Sequence, residues 1–260
     1  VEQREMPPYQ YDHDVGVQEL KNDWRMEQED VDTIVAWVEA GAPLGNPEEL
    51  PPPVDYPEVG EWRLADELGP PDHVIKSSAW DVPANGQDLW WEPEVDSGIT
   101  ESRCIKAIET LPSKDAHGST HHANSHFMSQ DENGNWFPSG RLSEYAYGKL
   151  GEKVPEGACR KAPANSKVGW SIHYYPDGNA VADDQVSVGI WYHDEEDNFN
   201  EEEAYTQDLT LYFLDGGGDY LIPPHGKLMT QGFHSFDHPV RIDSWQPHLH
   251  LRGVAMSMEV

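Results

Sequence analysis

From about Pro70 onward the sequence is cut into short β-forming runs separated by Gly, Pro, Asn and Asp, and this punctuation constrains the fold most. Val168-Gly169-Trp170-Ser171-Ile172-His173-Tyr174-Tyr175 reads as a strand, closed by the turn Pro176-Asp177-Gly178-Asn179. Val186-Ser187-Val188-Gly189-Ile190-Trp191-Tyr192 reads as the next strand. Leu209-Thr210-Leu211-Tyr212-Phe213-Leu214 is another, ended by Gly216-Gly217-Gly218. Many short strands with turns between them predict a mainly β chain, a β-sandwich of jelly-roll type. Helices do not alternate with these strands, which excludes a doubly wound α/β fold, and no internal repeat is present.

The N-terminal region differs. Glu27-Gln28-Glu29-Asp30 puts acids where a helix dipole favours them, and Val31, Ile34, Val35 and Val38 then recur on one helical face. Gly41 and Pro43 stop this short helical segment. A stiff, extended connector follows, with Gly45-Asn46-Pro47, Pro51-Pro52-Pro53, Pro57 and Gly60. The expected organisation is a helical segment 1–46, a Pro-rich linker 47–69, a first β domain 70–215, and the start of a second, incomplete one at 216–260. The chain begins at Val1 with no apolar signal core, and it stops at Met258-Glu259-Val260 in strand-like sequence, so both ends are expected to be cut.

Composition narrows the partners. Lys and Arg number 17 against 48 Asp and Glu, a formal net charge of -31. Such a surface repels phosphate backbones, so nucleic acid is not an expected partner. No apolar run approaches the ~18 residues of a membrane helix, and no membrane span is expected. Ten Trp and 11 Tyr argue against a disordered acidic chain. The acidic run from Asp194 to Glu203 has oxygen ligands that suit calcium but lacks the Gly-centred spacing of a calcium loop, so it reads as a solvated loop. Two Cys, Cys104 and Cys159, admit either one disulfide or two buried thiols.

The 13 His carry the chemical signal. His248-Leu249-His250 is the sharpest motif, because residues two apart in a strand share a face about 6.5–7 Å apart, where two imidazoles can chelate one ion. His121-His122 is an adjacent pair. Strand neighbours point to opposite faces, so both reach one ion only at a bulged, twisted or terminal position. His173 lies in mid-strand, where a hydrogen-bonded, half-buried role is the commoner one. His126 follows the pair by four residues and is placed to support it. Imidazole suits zinc, copper, iron and nickel. There is no His-Glu-x-x-His helix, no Gly-x-Ser-x-Gly elbow and no phosphate-cradling Gly-rich loop.

His121-His122, then a strand carrying His173, then His248-Leu249-His250 resembles the ordered signature of the copper type II, ascorbate-dependent monooxygenases, the family of peptidylglycine α-hydroxylating and dopamine β-monooxygenase. The likeness is greatest to bacterial members, in which the His-x-His strand is followed by Leu-Arg-Gly, here Leu251-Arg252-Gly253. It extends to Ile172-His173-Tyr174, to Ile222-Pro223-Pro224 and to the positions of Cys104 and Cys159, and it covers the chain from about Pro70 to the end. The resemblance implies two jelly-roll domains with one copper each. His121, His122 and His173 would hold the electron-supplying copper, and His248 and His250 the oxygen-activating, catalytic one. It also implies a Cys104–Cys159 disulfide and a periplasmic or extracellular location. The family completes its second site with a Met. Met256 and Met258 share strand parity with His250, but six extended residues span about 20 Å, so that ligand is expected beyond Val260.

The N-terminal segment has a resemblance of its own. Met6-Pro7-Pro8, the helix through Trp37, and Gly41-Ala42-Pro43 are similar to the tail of a cytochrome c-like domain fused ahead of such monooxygenases. Met6 would then be an axial ligand of haem c, with the Cys-x-x-Cys-His attachment motif upstream. The implied activity is hydroxylation of an activated C–H bond of a small molecule or peptide with O2, fed by an ascorbate-like or cytochrome donor. The rival readings are a non-catalytic copper or electron-transfer protein and a structural subunit of an extracellular complex.

Overall fold

A computed structural model describes the chain except residues 4, 7–10, 13, 17–18, 21–22, 24, 54–57, 148, 150, 195–221, 248 and 250–251. It forms two compact units, Val1–Tyr56 and Pro57–Val260.

In the first unit, helix α1 spans Gln28–Glu39, with Glu29 and Asp30 in its first turn. Of the apolar stripe, Val31 is buried, Ile34 and Val35 are half-buried, and Val38 is exposed. Cover over the stripe therefore fades along the helix. Gly41 takes a positive φ of 86°. Its N–H donates to the Val38 carbonyl at 3.0 Å, and Ala42 N–H to that of Trp37 at 2.9 Å. This left-handed glycine satisfies carbonyls that the helix end leaves open. A short 3-10 helix, Pro47–Glu49, is capped by the Asn46 side chain.

The second unit is mainly β and antiparallel. Helix α2 (Ala65–Leu68) precedes β1 (His73–Lys76), β2 (Trp80–Val82), β3 (Leu89–Trp91), β4 (Glu94–Asp96), β5 (Arg103–Leu111) and β6 (Thr120–Gln130). Then come β7 (Trp136–Ala146), β8 (Glu152–Lys153), β9 (Arg160–Ala162), β10 (Lys167–Tyr174), β11 (Val181–Asp184) and β12 (Ser187–Tyr192). One sheet runs β1-β12-β5-β8, with β9 also on β5; another runs β3-β10-β6-β7, with β4 also on β10; β2 and β11 form a small third sheet. Period-two alternation makes this sandwich-like. Val168, Trp170, Ile172 and Tyr174 of β10 share one core with Ile105 and Ile108 of β5 and with Val188, Ile190 and Tyr192 of β12. A 2.6 Å hydrogen bond between the hydroxyls of Thr110 on β5 and Ser143 on β7 ties the two large sheets together across that core.

The strands expected at 168–175 and 186–192 are β10 and β12, and in the turn that follows β10 Asp177 accepts from Asn179 N–H at 3.0 Å. The long β6–β7 hairpin was not anticipated from sequence. Asp131 closes it by accepting from the N–H groups of Asn133 and Asn135, both at 2.8 Å, with Gly134 at positive φ. The expected strand 209–214, the Gly216-Gly217-Gly218 turn and nearly all of the acidic run lie outside the described residues. Residues 222–247, 249 and 252–260 show no helix or strand. Strands persist only when paired, and no described strand pairs with this segment.

The stretch 47–69 ends in packed structure. Trp62 meets Trp191 edge-on at 6.2 Å, and Trp191 Nε1–H donates to the Gly69 carbonyl at 2.8 Å. Cys104 of β5 is disulfide-bonded to Cys159, just before β9, with Cα atoms 5.2 Å apart. Among the described residues no helix is long and apolar enough to cross a membrane.

Candidate metal centre

Alternation on β10 sends Ile172 and Tyr174 inward, so Ser171 and His173 face outward. On β6, Ala123 and Phe127 point to the core, which places His122, Asn124 and His126 on the outward face. His122 pairs directly with His173. A regular pleat would turn His121 away from them. The register shifts between His173 and Tyr174, however, and Tyr174 opposes Thr120, so His121 is the extra residue of a β-bulge. Thr120, fully buried, pins the bulge from below through its hydroxyl and N–H, both donated to the Ala116 carbonyl.

The bulge gathers three imidazoles. Ring centroids lie 5.1 Å apart for His121 and His173, 4.7 Å for His122 and His173, and 5.4 Å for His121 and His122. His121 is exposed, His122 half-buried and His173 buried. Trp90 of β3 pairs with His173 and stacks on its ring at 4.1 Å, with planes 8° apart. Asp88 Oδ2 lies 2.9 Å from His173 Nε2, and His173 Nδ1 lies 3.1 Å from His122 Nε2.

The tautomers follow from the carboxylate. An ionised Asp88 only accepts, so a neutral His173 carries its proton on Nε2 and keeps a lone pair on Nδ1. His122 then donates from Nε2, which leaves a lone pair on His122 Nδ1. That nitrogen is buried and has no hydrogen-bond partner among the described residues. Burial pushes the His122 pKa below its ordinary value, helped by repulsion from His173 and His121 and opposed by the Glu144 carboxylate. The ring therefore favours its neutral form, the one that binds metals.

Among the described residues no group of three or more His, Cys, Asp or Glu side chains is placed to hold a metal ion. As the rings stand, His122 and His173 spend donor capacity on each other. The donor set nevertheless fits a borderline metal such as copper or zinc: three imidazoles, a lone pair with no partner at His122 Nδ1, and a carboxylate behind His173. An ion here would compete with a single His–His hydrogen bond.

Of the residues singled out in the sequence, His121, His122 and His173 are brought together. His248 and His250 lie outside the described residues, while Leu249 between them is described, exposed and not in a strand. Gln246 Nε2 donates to both Glu144 oxygens at 3.3 Å, which sets that residue beside β7. Met6 is exposed, and its neighbours Pro7 and Pro8 lie outside the described residues. Met256 and Met258 are exposed, outside any strand.

His126 does not support the pair. It pairs with Gly169, four residues along β10 from His173, and its ring lies against that glycine, where a Cβ would come within 2.6 Å of Nε2. Asp88 and Trp90 escaped the sequence reading. Their spacing puts both on one face of an extended segment, but only the β3–β10 register shows that the face is that of His173. Compared with known proteins, the chain matches no family, and no curated protein is similar to it at a level that shows kinship.

Proposed function

We propose that this chain belongs to a copper-dependent monooxygenase that hydroxylates an activated C–H bond with O2, and that His121, His122 and His173 hold its electron-supplying copper. One observation carries the reading: a bulge in β6 overrides strand alternation and brings an adjacent His pair onto the face of His173. Copper bound by imidazoles supplies one-electron redox chemistry. The chain's own part is to favour the neutral form of His122, to bury His173, and to fix the His173 ring between Trp90 and Asp88. His248 and His250 serve the oxygen-activating copper in this reading, on the strength of the sequence resemblance, as do the jelly-roll assignment and the haem role of Met6. The disulfide supports a periplasmic or extracellular location, where such bonds persist.

A second reading, a copper protein that only passes electrons, is favoured by Trp90. This side chain is 55% exposed yet stacks directly on His173, which gives a π-path from solvent to the ring.

Metal content and copper EPR on the intact protein decide between them. Two coppers per chain with nitrogen-coordinated signals support the monooxygenase, and screening for O2-dependent hydroxylation follows. One copper, lost in His173→Ala, supports electron transfer. Zinc alone, or no metal at copper concentrations far above stoichiometric, defeats both.

A further inference from the structure

We infer that Asp88 is a positioning residue that selects the ligating nitrogen of His173, with Trp90 fixing the plane of the ring. The inference rests on the copper reading of the His121/His122/His173 cluster and adds a residue to it. His173 has two nitrogens, and in the neutral ring only one carries a lone pair. Asp88 Oδ2 sits 2.9 Å from Nε2 and accepts only, so the Nε2–H tautomer is selected and Nδ1, the nitrogen facing His122, becomes the donor. Trp90, in register with His173 on the neighbouring strand, covers one ring face in near-parallel contact and opposes a flip that would exchange the nitrogens.

The placement has a backbone cause. Asp88 immediately precedes β3, and residues two apart on an extended segment face the same way, so Asp88 and Trp90 approach the ring together, one at its edge and one on its face. The loop before them is tied down at Ala84, whose carbonyl accepts from Gly178 N–H at 2.8 Å, and at the strand it leaves, where Asp81 of β2 accepts from Asp183 N–H at 2.9 Å. Asp88 itself is 42% exposed while the His173 side chain is 10% exposed. The carboxylate can therefore be changed with little disturbance to the core, although the ring it orients is almost enclosed.

Carboxylates behind metal-bound histidines typically change metal affinity by about 10- to 100-fold. The test uses the intact protein with Asp88→Ala and Asp88→Asn, each checked for unchanged circular dichroism. Nitrogen-15 NMR of the histidine rings in metal-free protein reads the tautomer, and a chelator-competition titration with Cu(II) reads the affinity. The expected result is an Nε2–H tautomer at His173 in the unaltered protein, a mixture in both variants, and Cu(II) affinity in Asp88→Ala lower by about 10- to 100-fold. Unchanged tautomer and unchanged affinity in Asp88→Ala overturn the inference and leave the copper reading standing. Failure of the unaltered protein to bind Cu(II) defeats the copper reading; the tautomer measurement then decides the role of Asp88 alone, and an Nδ1–H ring in the unaltered protein overturns it.

Discussion

In the sheet containing β12, outward-facing Gly189 lies under Trp62 and Pro71, and outward-facing Trp191 meets Trp62 edge-on. In the sheet containing β10, outward-facing His173 meets His122, His121, Trp90 and Asp88, and the face stays partly open. Both strands alternate in the same way, and both place a glycine under a ring. A Cβ at Gly189 would come within 3.0 Å of Trp62, and one at Gly169 within 2.6 Å of His126. The difference lies in what closes each face. The first is sealed by aromatic cover anchored through buried Glu109, whose carboxylate accepts from the N–H groups of Arg63 and Leu64 at 3.0 Å each. The second is lined by groups that can bind a proton or a metal. One outer face is closed by packing, and the other keeps its histidines partly open.

Exchanging the damage between faces is the strongest way to break this comparison. Trp191→Ala removes a fully buried indole and its hydrogen bond to Gly69, and should cost about 3–5 kcal/mol in denaturant unfolding. Copper affinity of the folded fraction should not move. His173→Ala should cost about 1 kcal/mol, the centre of the usual range for point changes, yet remove copper binding. If His173→Ala unfolds the protein, or Trp191→Ala abolishes copper binding while the fold survives, the division of labour is wrong.

A second asymmetry is covalent. The disulfide closes 55 residues and pins the β5–β9 end of the first sheet, whereas the ladder β10-β6-β7 relies on hydrogen bonds and packing. Loop-closure entropy puts its contribution at about 4 kcal/mol. Cys104→Ala with Cys159→Ala should lower stability by about that amount. In hydrogen exchange, β5 and β9 amides should lose protection before those of β6 and β10. Simultaneous loss in both sheets would mean that the sandwich opens as one unit, and the comparison would then hold for chemistry but not for stability.

The legible parts of this molecule were the local ones. Strands β10 and β12 announced themselves because β-branched and aromatic residues run up to explicit turn residues, and α1 did so through its acids, stripe and glycine stop. The β6–β7 hairpin was missed, although Asp131 to Asn135 carries its turn, because Asn, Ser and His dilute the apolar alternation of β6. The histidine cluster was legible in its members but not in its support. Alternation alone says that His121 and His122 cannot share a face, and only the pairing of Tyr174 with Thr120 reveals the bulge that lets them. Asp88 and Trp90 depend on the register between strands some 80 residues apart in sequence, which no local pattern carries. His126 misled for the same reason: its spacing put it on the right face, and the register put it over Gly169.

The smallest expected effect separates the sheets by their response to acid. In the first sheet, burial alone would raise the Glu152 pKa, but Lys149, Arg160 and Arg141 outweigh it and hold the carboxyl below its ordinary range. A depressed carboxyl contributes stability above its unfolded pKa of about 4.3, and loses it as pH falls through the lower folded value. In the second sheet, His122 is held below its ordinary value by burial and by His173 and His121, against the pull of Glu144. The unfolded ring takes up a proton as pH falls through about 6.5 while the folded ring resists, so this contribution is complete above that pH and declines below it. Stability measured across pH 8 to 3 should therefore fall in two steps, the upper from the histidine face and the lower from the Glu152 cluster. His122→Gln should flatten the upper step and spare the lower, and Glu152→Gln should do the reverse. A His122→Gln profile that still falls between pH 7 and 5 as the unaltered protein does would move the upper step away from this face, and with it the claim that the open sheet keeps the His122 ring neutral at a cost in acid.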